Sequence, residues 1–154
     1  MRYFEDLQVG DQYRTGSVTV TEAELIAFAR QYDPQPFHTD PAAAPHSVFG
    51  RLVASGWHTA ALTMRLMVQG ELQLAGGSIG LGVDKIEWPR PVLPGDTLTV
   101  VSEIVEKRPS RSKPDRGLVR VRSTTFNQRD EAVEVMTSLQ LVLRRPAAAN
   151  APRL

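Results

Sequence analysis

Gly56-Trp-His-Thr-Ala-Ala-Leu-Thr-Met-Arg-Leu-Met-Val-Gln-Gly70 has a glycine at each end and one full charge, Arg65, inside it. Trp57, Ala60, Ala61, Leu62, Met64, Leu66, Met67 and Val68 make the run apolar nearly all round, the pattern of a helix buried on most sides. Downstream the period changes. Residues 80–88, 97–107, 118–126 and 132–144 carry β-branched side chains at alternating positions. Turn signals separate them: Pro89-Arg-Pro91 with Pro94-Gly95-Asp96, then Pro109 to Gly117, then Asn127 to Glu131. Four long strands in succession predict an antiparallel sheet, and the apolar helix ahead of them predicts that the sheet curls round it. The expected class is α+β, a curled antiparallel sheet wrapped around a central buried helix.

Upstream of that helix, Val9-Gly10-Asp11 marks a turn and residues 13–20 a strand. Thr21 and Glu24 have the spacing of a capping box, followed by Leu25, Ile26, Phe28 and Ala29 on one helical face. That helix is expected to end near Tyr32, because Pro34 cannot continue it. Asp33 then falls just past a helix C-terminus, on a loop stiffened by Pro34 and Pro36 and running to His38. Asp40-Pro41 reads as a second N-cap opening a short helical turn, and residues 45–49 as loop. The expected organisation is one domain over residues 1–146 and a flexible tail at 147–154.

Bulk properties narrow the function classes. At 154 residues the chain is long enough for one self-sufficient core. Its formal charge of +1, with both signs interspersed, argues against nucleic acid or a membrane surface as partner. With no cysteine, disulfides, thiolate metal sites and cysteine nucleophiles are excluded. No apolar run has the length of a membrane span and the first residues carry no signal pattern, so a cytoplasmic protein is expected.

Asp33-Pro34-Gln35-Pro36-Phe37-His38 brings a carboxylate and an imidazole five residues apart, and Gly56 offers a backbone N–H at a helix start. This hexapeptide resembles the signature of the MaoC-like, or (R)-specific enoyl-CoA hydratase, family: aspartate, any residue, asparagine, proline, an apolar residue, histidine. Here glutamine stands for the asparagine. The likeness runs from Phe4-Glu-Asp-Leu through Trp88-Pro-Arg-Pro to the last strand. It implies a hotdog fold and reversible addition of water to a 2-enoyl coenzyme A thioester. Asp33 and His38 would activate the water, and the Gly56 amide would hold the thioester oxygen. It also implies a homodimer or higher homo-oligomer, pairing edge to edge, and no cofactor besides the coenzyme A of the substrate. A serine that some members carry deeper in the helix would fall on Met64, next to Thr63.

Backbone N–H groups at a helix N-terminus suit the negative charge that develops on a thioester oxygen as water adds. Gly56, with Gln35, Phe37 and Trp57, makes up the candidate oxyanion and substrate-binding set; in packing terms Trp57 and the helix methionines read as core. The locally basic stretch 107–116 reads as a solvated hairpin loop, with Arg108, Arg111 and Lys113 as candidate contacts for coenzyme A phosphates. His46 and His58 read as structural or surface residues, and a metal site from His38, Asp40 and His46 is disfavoured because no fixed helical spacing holds them. The rival readings are a hotdog thioesterase, with Asp33 directing water at the carbonyl carbon, and a non-catalytic acyl-CoA binding module.

Overall fold

A computed structural model describes the protein over residues 1–147. Two short strands, β1 (Gln12–Arg14) and β2 (Val18–Thr19), lead into α1 (Glu22–Tyr32), α2 (Pro36–Thr39) and α3 (Gly56–Gln69). Four long strands follow: β3 (Ile79–Glu87), β4 (Thr97–Pro109), β5 (Arg116–Phe126) and β6 (Ala132–Leu143). All strand pairs are antiparallel, in the order β1-β4-β5-β6-β3, with β2 also on β4. Strand β3 therefore ends up at the edge of the sheet, beside the last strand of the chain.

Alternation in β4 and β5 turns Leu98, Val100, Ile104, Val119 and Val121 inward. Around α3, Leu62, Leu66 and Met67 meet Leu98, Val100, Val133 and Met136 of the sheet and Leu25 of α1. A second cluster, with Phe4, Leu7, Tyr13 and Ile104, closes the other part of the sheet with the N-terminal segment. This is the α+β hotdog arrangement, a curled sheet enclosing one helix.

Four details differ from expectation. The strand expected over 13–20 is broken at Gly16, and the Thr15 hydroxyl, not a ladder carbonyl, accepts the Val100 N–H at 2.9 Å. Thr21 caps α1 by accepting from the Glu24 N–H at 3.2 Å, but the reciprocal half of the capping box is not formed among the described residues. The expected loop to His38 winds into α2, with Pro36 at its first position. And α3 is not buried on most sides: Trp57 is 60% and Met64 42% exposed, with Val68 also outside. That flank lies next to the edge strand, whose Ile79, Leu81 and Val83 are exposed as well, and no other described residue covers either.

The expected tail at 147–154 lies outside the described residues except for Ala147. No helix among the described residues is long and apolar enough to cross a membrane. Leu98, fully buried between sheet and α3, tests the core directly. Leu98→Ala is expected to lower unfolding free energy by about 2–5 kcal/mol in urea titration.

Candidate active site

Pro34 ends α1 and sets the position of the first site residue. The Asp33 N–H still donates to Ala29 O at 2.8 Å, but the chain then leaves the helical path, with Asp33 at φ −151° and ψ 67°. Three residues later α2 begins. Its single turn points His38 inward, 6% exposed, while the Val53 N–H donates to Phe37 O at 3.1 Å and ties α2 to the segment leading into α3. The His38 Nδ1 lies 2.7 Å from Val53 O. A carbonyl only accepts, so Nδ1 carries a proton and donates it. Nε2 is thereby aimed at Asp33 Oδ2, 3.3 Å away.

Both oxygens of Asp33 are occupied. The Ser55 Oγ–H donates to Oδ2 at 2.7 Å, and the Gln35 side-chain amide donates to Oδ1 at 2.7 Å. Burial works against ionisation of Asp33, but the hydrogen bonds from Ser55 and Gln35, with the neighbouring His38, outweigh it and hold the carboxyl below the usual aspartate range. Gln35, one methylene longer than the asparagine of the family signature, thus still reaches the carboxylate.

Ser55 also makes the helix. Fully buried at the N-cap of α3, its Oγ accepts the Trp57 N–H at 3.2 Å, and its carbonyl accepts from His58 and Thr59 at 3.0 and 3.1 Å. The Gly56 N–H finds no acceptor among the described residues. A Cβ on Gly56 would lie 2.5–2.8 Å from ring atoms of Trp88, so only glycine allows that ring to pack where it does.

Asp33, His38, Gly56, Gln35, Phe37 and Trp57, the catalytic, oxyanion and substrate-binding candidates from sequence, all line one cavity of about 510 Å³. Trp57 and Trp88 meet edge to face on its wall, ring centroids 5.4 Å apart. Trp57 is therefore a wall residue and not core, and of the two helix methionines only Met67 is buried. The structure does not bring Arg108, Arg111 and Lys113 to this cavity within one chain. They sit at the β4–β5 hairpin, whereas the cavity lies beside the residues before β4, roughly 35–40 Å away along the strand. The cation that does line it is Arg90, paired with Glu131 at 3.1 Å.

His46 is exposed on a 3₁₀ turn. His58 is buried and stacked on Phe28 with centroids 4.6 Å apart, its pKa lowered first by burial; neither lines the cavity. No group of three or more possible metal ligands, His38, Asp40 and His46 included, occurs among the described residues. Sequence reading passed over Ser55 and Trp88. A serine directly before a helix-opening glycine is a legible N-cap signal, but Trp88 reaches the site only through the sheet topology.

Residues 6–127 match the family described as "MaoC like domain". The chain is 49% identical to a MaoC-like dehydratase from Rhodospirillum rubrum whose crystal structure superposes with a TM-score of 0.92, covering 96% of this chain and 100% of that one. It is 34% identical to the 3-hydroxyacyl-thioester dehydratase Z of Mycobacterium tuberculosis, over 68% of this chain and 75% of that protein. It is 37% identical to the (R)-specific enoyl-CoA hydratase of Aeromonas caviae, again over 68% and 75%. The protein belongs to the MaoC-like hydratase/dehydratase family.

The Ser55 hydrogen bond is among those that lower the Asp33 pKa, so Ser55→Ala is expected to raise it. NMR titration of the Asp33 side-chain carbonyl should show its midpoint moving upward, with the ionised form lost at a higher pH than in the wild type.

Proposed function

We propose that this protein adds water reversibly to a trans-2-enoyl thioester of coenzyme A, and that Asp33 and His38 do the proton work. The observation that carries this reading is the fixed pair: an ionised carboxylate and an imidazole with a pinned tautomer, 3.3 Å apart on the wall of one cavity. A water held beside the pair would donate one hydrogen to Asp33 and the other to the Nε2 lone pair of His38, turning its oxygen toward the β-carbon of the enoyl group. As that oxygen bonds to carbon, one proton passes to Asp33 and the other hydrogen stays on the new hydroxyl. Asp33 then gives its proton to the α-carbon, so one water has been added and the pair is reset. Reversal of the same steps dehydrates a 3-hydroxyacyl thioester.

Negative charge develops on the thioester oxygen during the addition. The free Gly56 N–H, at the N-terminus of a 14-residue helix, is suited to receive it, and the missing Cβ lets the oxygen come close. Phe37 and Trp57 supply apolar wall for the acyl group. Arg90 at the same cavity is better placed than the β4–β5 hairpin of its own chain for the anionic carrier. The names of the tuberculosis and Aeromonas relatives, a thioester dehydratase and an enoyl-CoA hydratase, agree with this chemistry.

Asp33→Asn should fold normally and slow crotonyl-CoA hydration by about 10²–10⁴-fold, the usual worth of a positioned acid–base group. The assay follows loss of enoyl absorbance together with free thiol; wild-type turnover without thiol release is expected. A folded Asp33→Asn protein of undiminished rate would sink the proposal, and stoichiometric thiol release would favour a thioesterase instead.

The second part of the proposal concerns assembly. The exposed edge strand, with Ile79, Leu81 and Val83, and the open flank of α3, with Met64 and Val68, form one apolar stretch of the kind that mates with a second copy. Sedimentation is expected to give at least a dimer, and Leu81→Glu with Val83→Glu to shift it toward monomer. A wild-type chain that sediments as a monomer at every concentration contradicts this.

A further inference from the structure

Glu134 is the one carboxylate among the described residues that is completely shut from solvent. It lies in β6 at a break in the alternation: Val133 and Glu134 both point inward, where β5 and β6 lose register between Thr125 and Phe126. The irregularity re-aims Val133; Glu134 itself keeps the inward phase of Met136, Ser138, Gln140 and Val142, so the alternation of β6 places its carboxyl in the core. One of its oxygens, Oε2, accepts the Trp88 indole N–H at 2.9 Å; the other has no hydrogen-bond partner among the described residues. On the same side Thr63 of α3 and Thr125 of β5 share a hydrogen bond of 2.6 Å. Burial raises the Glu134 pKa, opposed by the hydrogen bond from Trp88 and by Thr63.

A buried acid is costly to keep, and this one touches no substrate cavity itself. Its partner does. Trp88 has its N–H in the core and its six-membered ring against Gly56, on the wall of the cavity that Asp33 and His38 also line. Without a fixed N–H the indole would be free to rotate about its side-chain torsions, opening space at the helix N-terminus. We infer that Glu134 is a positioning residue for the cavity, holding the Trp88 ring against Gly56 so that the acyl group beside the helix N-terminus meets a fixed wall. This sets which acyl groups fit. Short ones lie beside the ring; longer ones need it displaced.

The kinetic arm of the test rests on the hydratase reading, and the spectroscopic arm does not. Glu134→Gln keeps an acceptor of the same shape, Glu134→Leu removes it, and Trp88→Phe removes only the donor while leaving an aromatic ring. The Trp88 indole N–H resonance, assigned by its loss in Trp88→Phe, is expected to move and exchange faster in Glu134→Leu and to stay in place in Glu134→Gln. Selectivity for crotonyl-CoA over octenoyl-CoA, as a ratio of kcat/KM, is expected to fall about tenfold in Glu134→Leu and to be restored within about twofold in Glu134→Gln. Trp88→Phe should shift selectivity in the same direction, and adding Glu134→Leu to it should change the ratio by less than about twofold, since the shared interaction is already gone.

A folded Glu134→Leu protein whose indole resonance stays where it was overturns the inference. So does Glu134→Gln failing as badly as Glu134→Leu, or a Trp88→Phe protein of wild-type selectivity. If Glu134→Leu does not fold, the Glu134→Gln and Trp88→Phe results still decide. If the wild type hydrates no enoyl thioester, the proposed reaction fails while the indole resonance judges Glu134 independently.

Discussion

The hydrogen bond from Ser55 to Asp33, 2.7 Å long, joins two parts of the chain that secondary structure alone would leave independent. On one side is the segment between α1 and α2, whose geometry is set by Pro34 and Pro36. On the other is the start of α3, whose position is set by the sheet around it. The same Oγ accepts the Trp57 N–H, so the residue that caps the helix also orients the carboxylate. A serine hydroxyl can do both, because it donates one hydrogen and keeps lone pairs for accepting. With both partners engaged, Ser55 relates the carboxylate to the helix N-terminus through a few bonds.

The Trp88 side of the cavity is set by another route. There the sheet acts at long range: the chain leaves β3 at Trp88, and the alternation of β6 turns Glu134 inward to meet it. His38 is fixed by a third constraint, the Val53 carbonyl. Three independent devices, a cap, an inward-facing strand position and a backbone acceptor, therefore converge on one cavity. None involves the β4–β5 hairpin, where the chain's basic residues cluster. Charge density along a sequence says little about where charge stands relative to a site once a strand has carried it away.

Much of this was legible in the sequence, for physical reasons that can be named. The change from a helical to a strand period at about residue 80 fixed the fold class, because a single apolar helix has to be covered by whatever follows it. Asp33, His38 and Gly56 were legible because proline and glycine constrain backbone geometry locally. What local pattern does not carry is solvent exposure decided by an edge. Trp57 and Met64 read as core because an apolar helix face normally is, but β3 lies at the end of the sheet and leaves that flank open. Glu134 was hidden for the opposite reason. A charged residue in an alternating strand reads as outward, and the apolar Val133, Val135, Leu139 and Leu141 point to the other phase; only the packed sheet shows Glu134 on the inner face with Met136, Ser138, Gln140 and Val142.

Gly56 shows how one atom's absence can meet two demands at once. A Cβ there would collide with the Trp88 ring, and any residue but glycine would also stand between a ligand and the only N–H of the first turn that the cap leaves free. The two demands are linked. The collision is severe only if the ring cannot retreat, and the ring is anchored at its far side by a carboxyl in the core. A looser indole would tolerate alanine at the cost of a wall that moves. The packing constraint on Gly56 and the burial of Glu134 are thus two ends of one arrangement, with Trp88 between them, and the shape of the cavity beside the helix N-terminus follows from both.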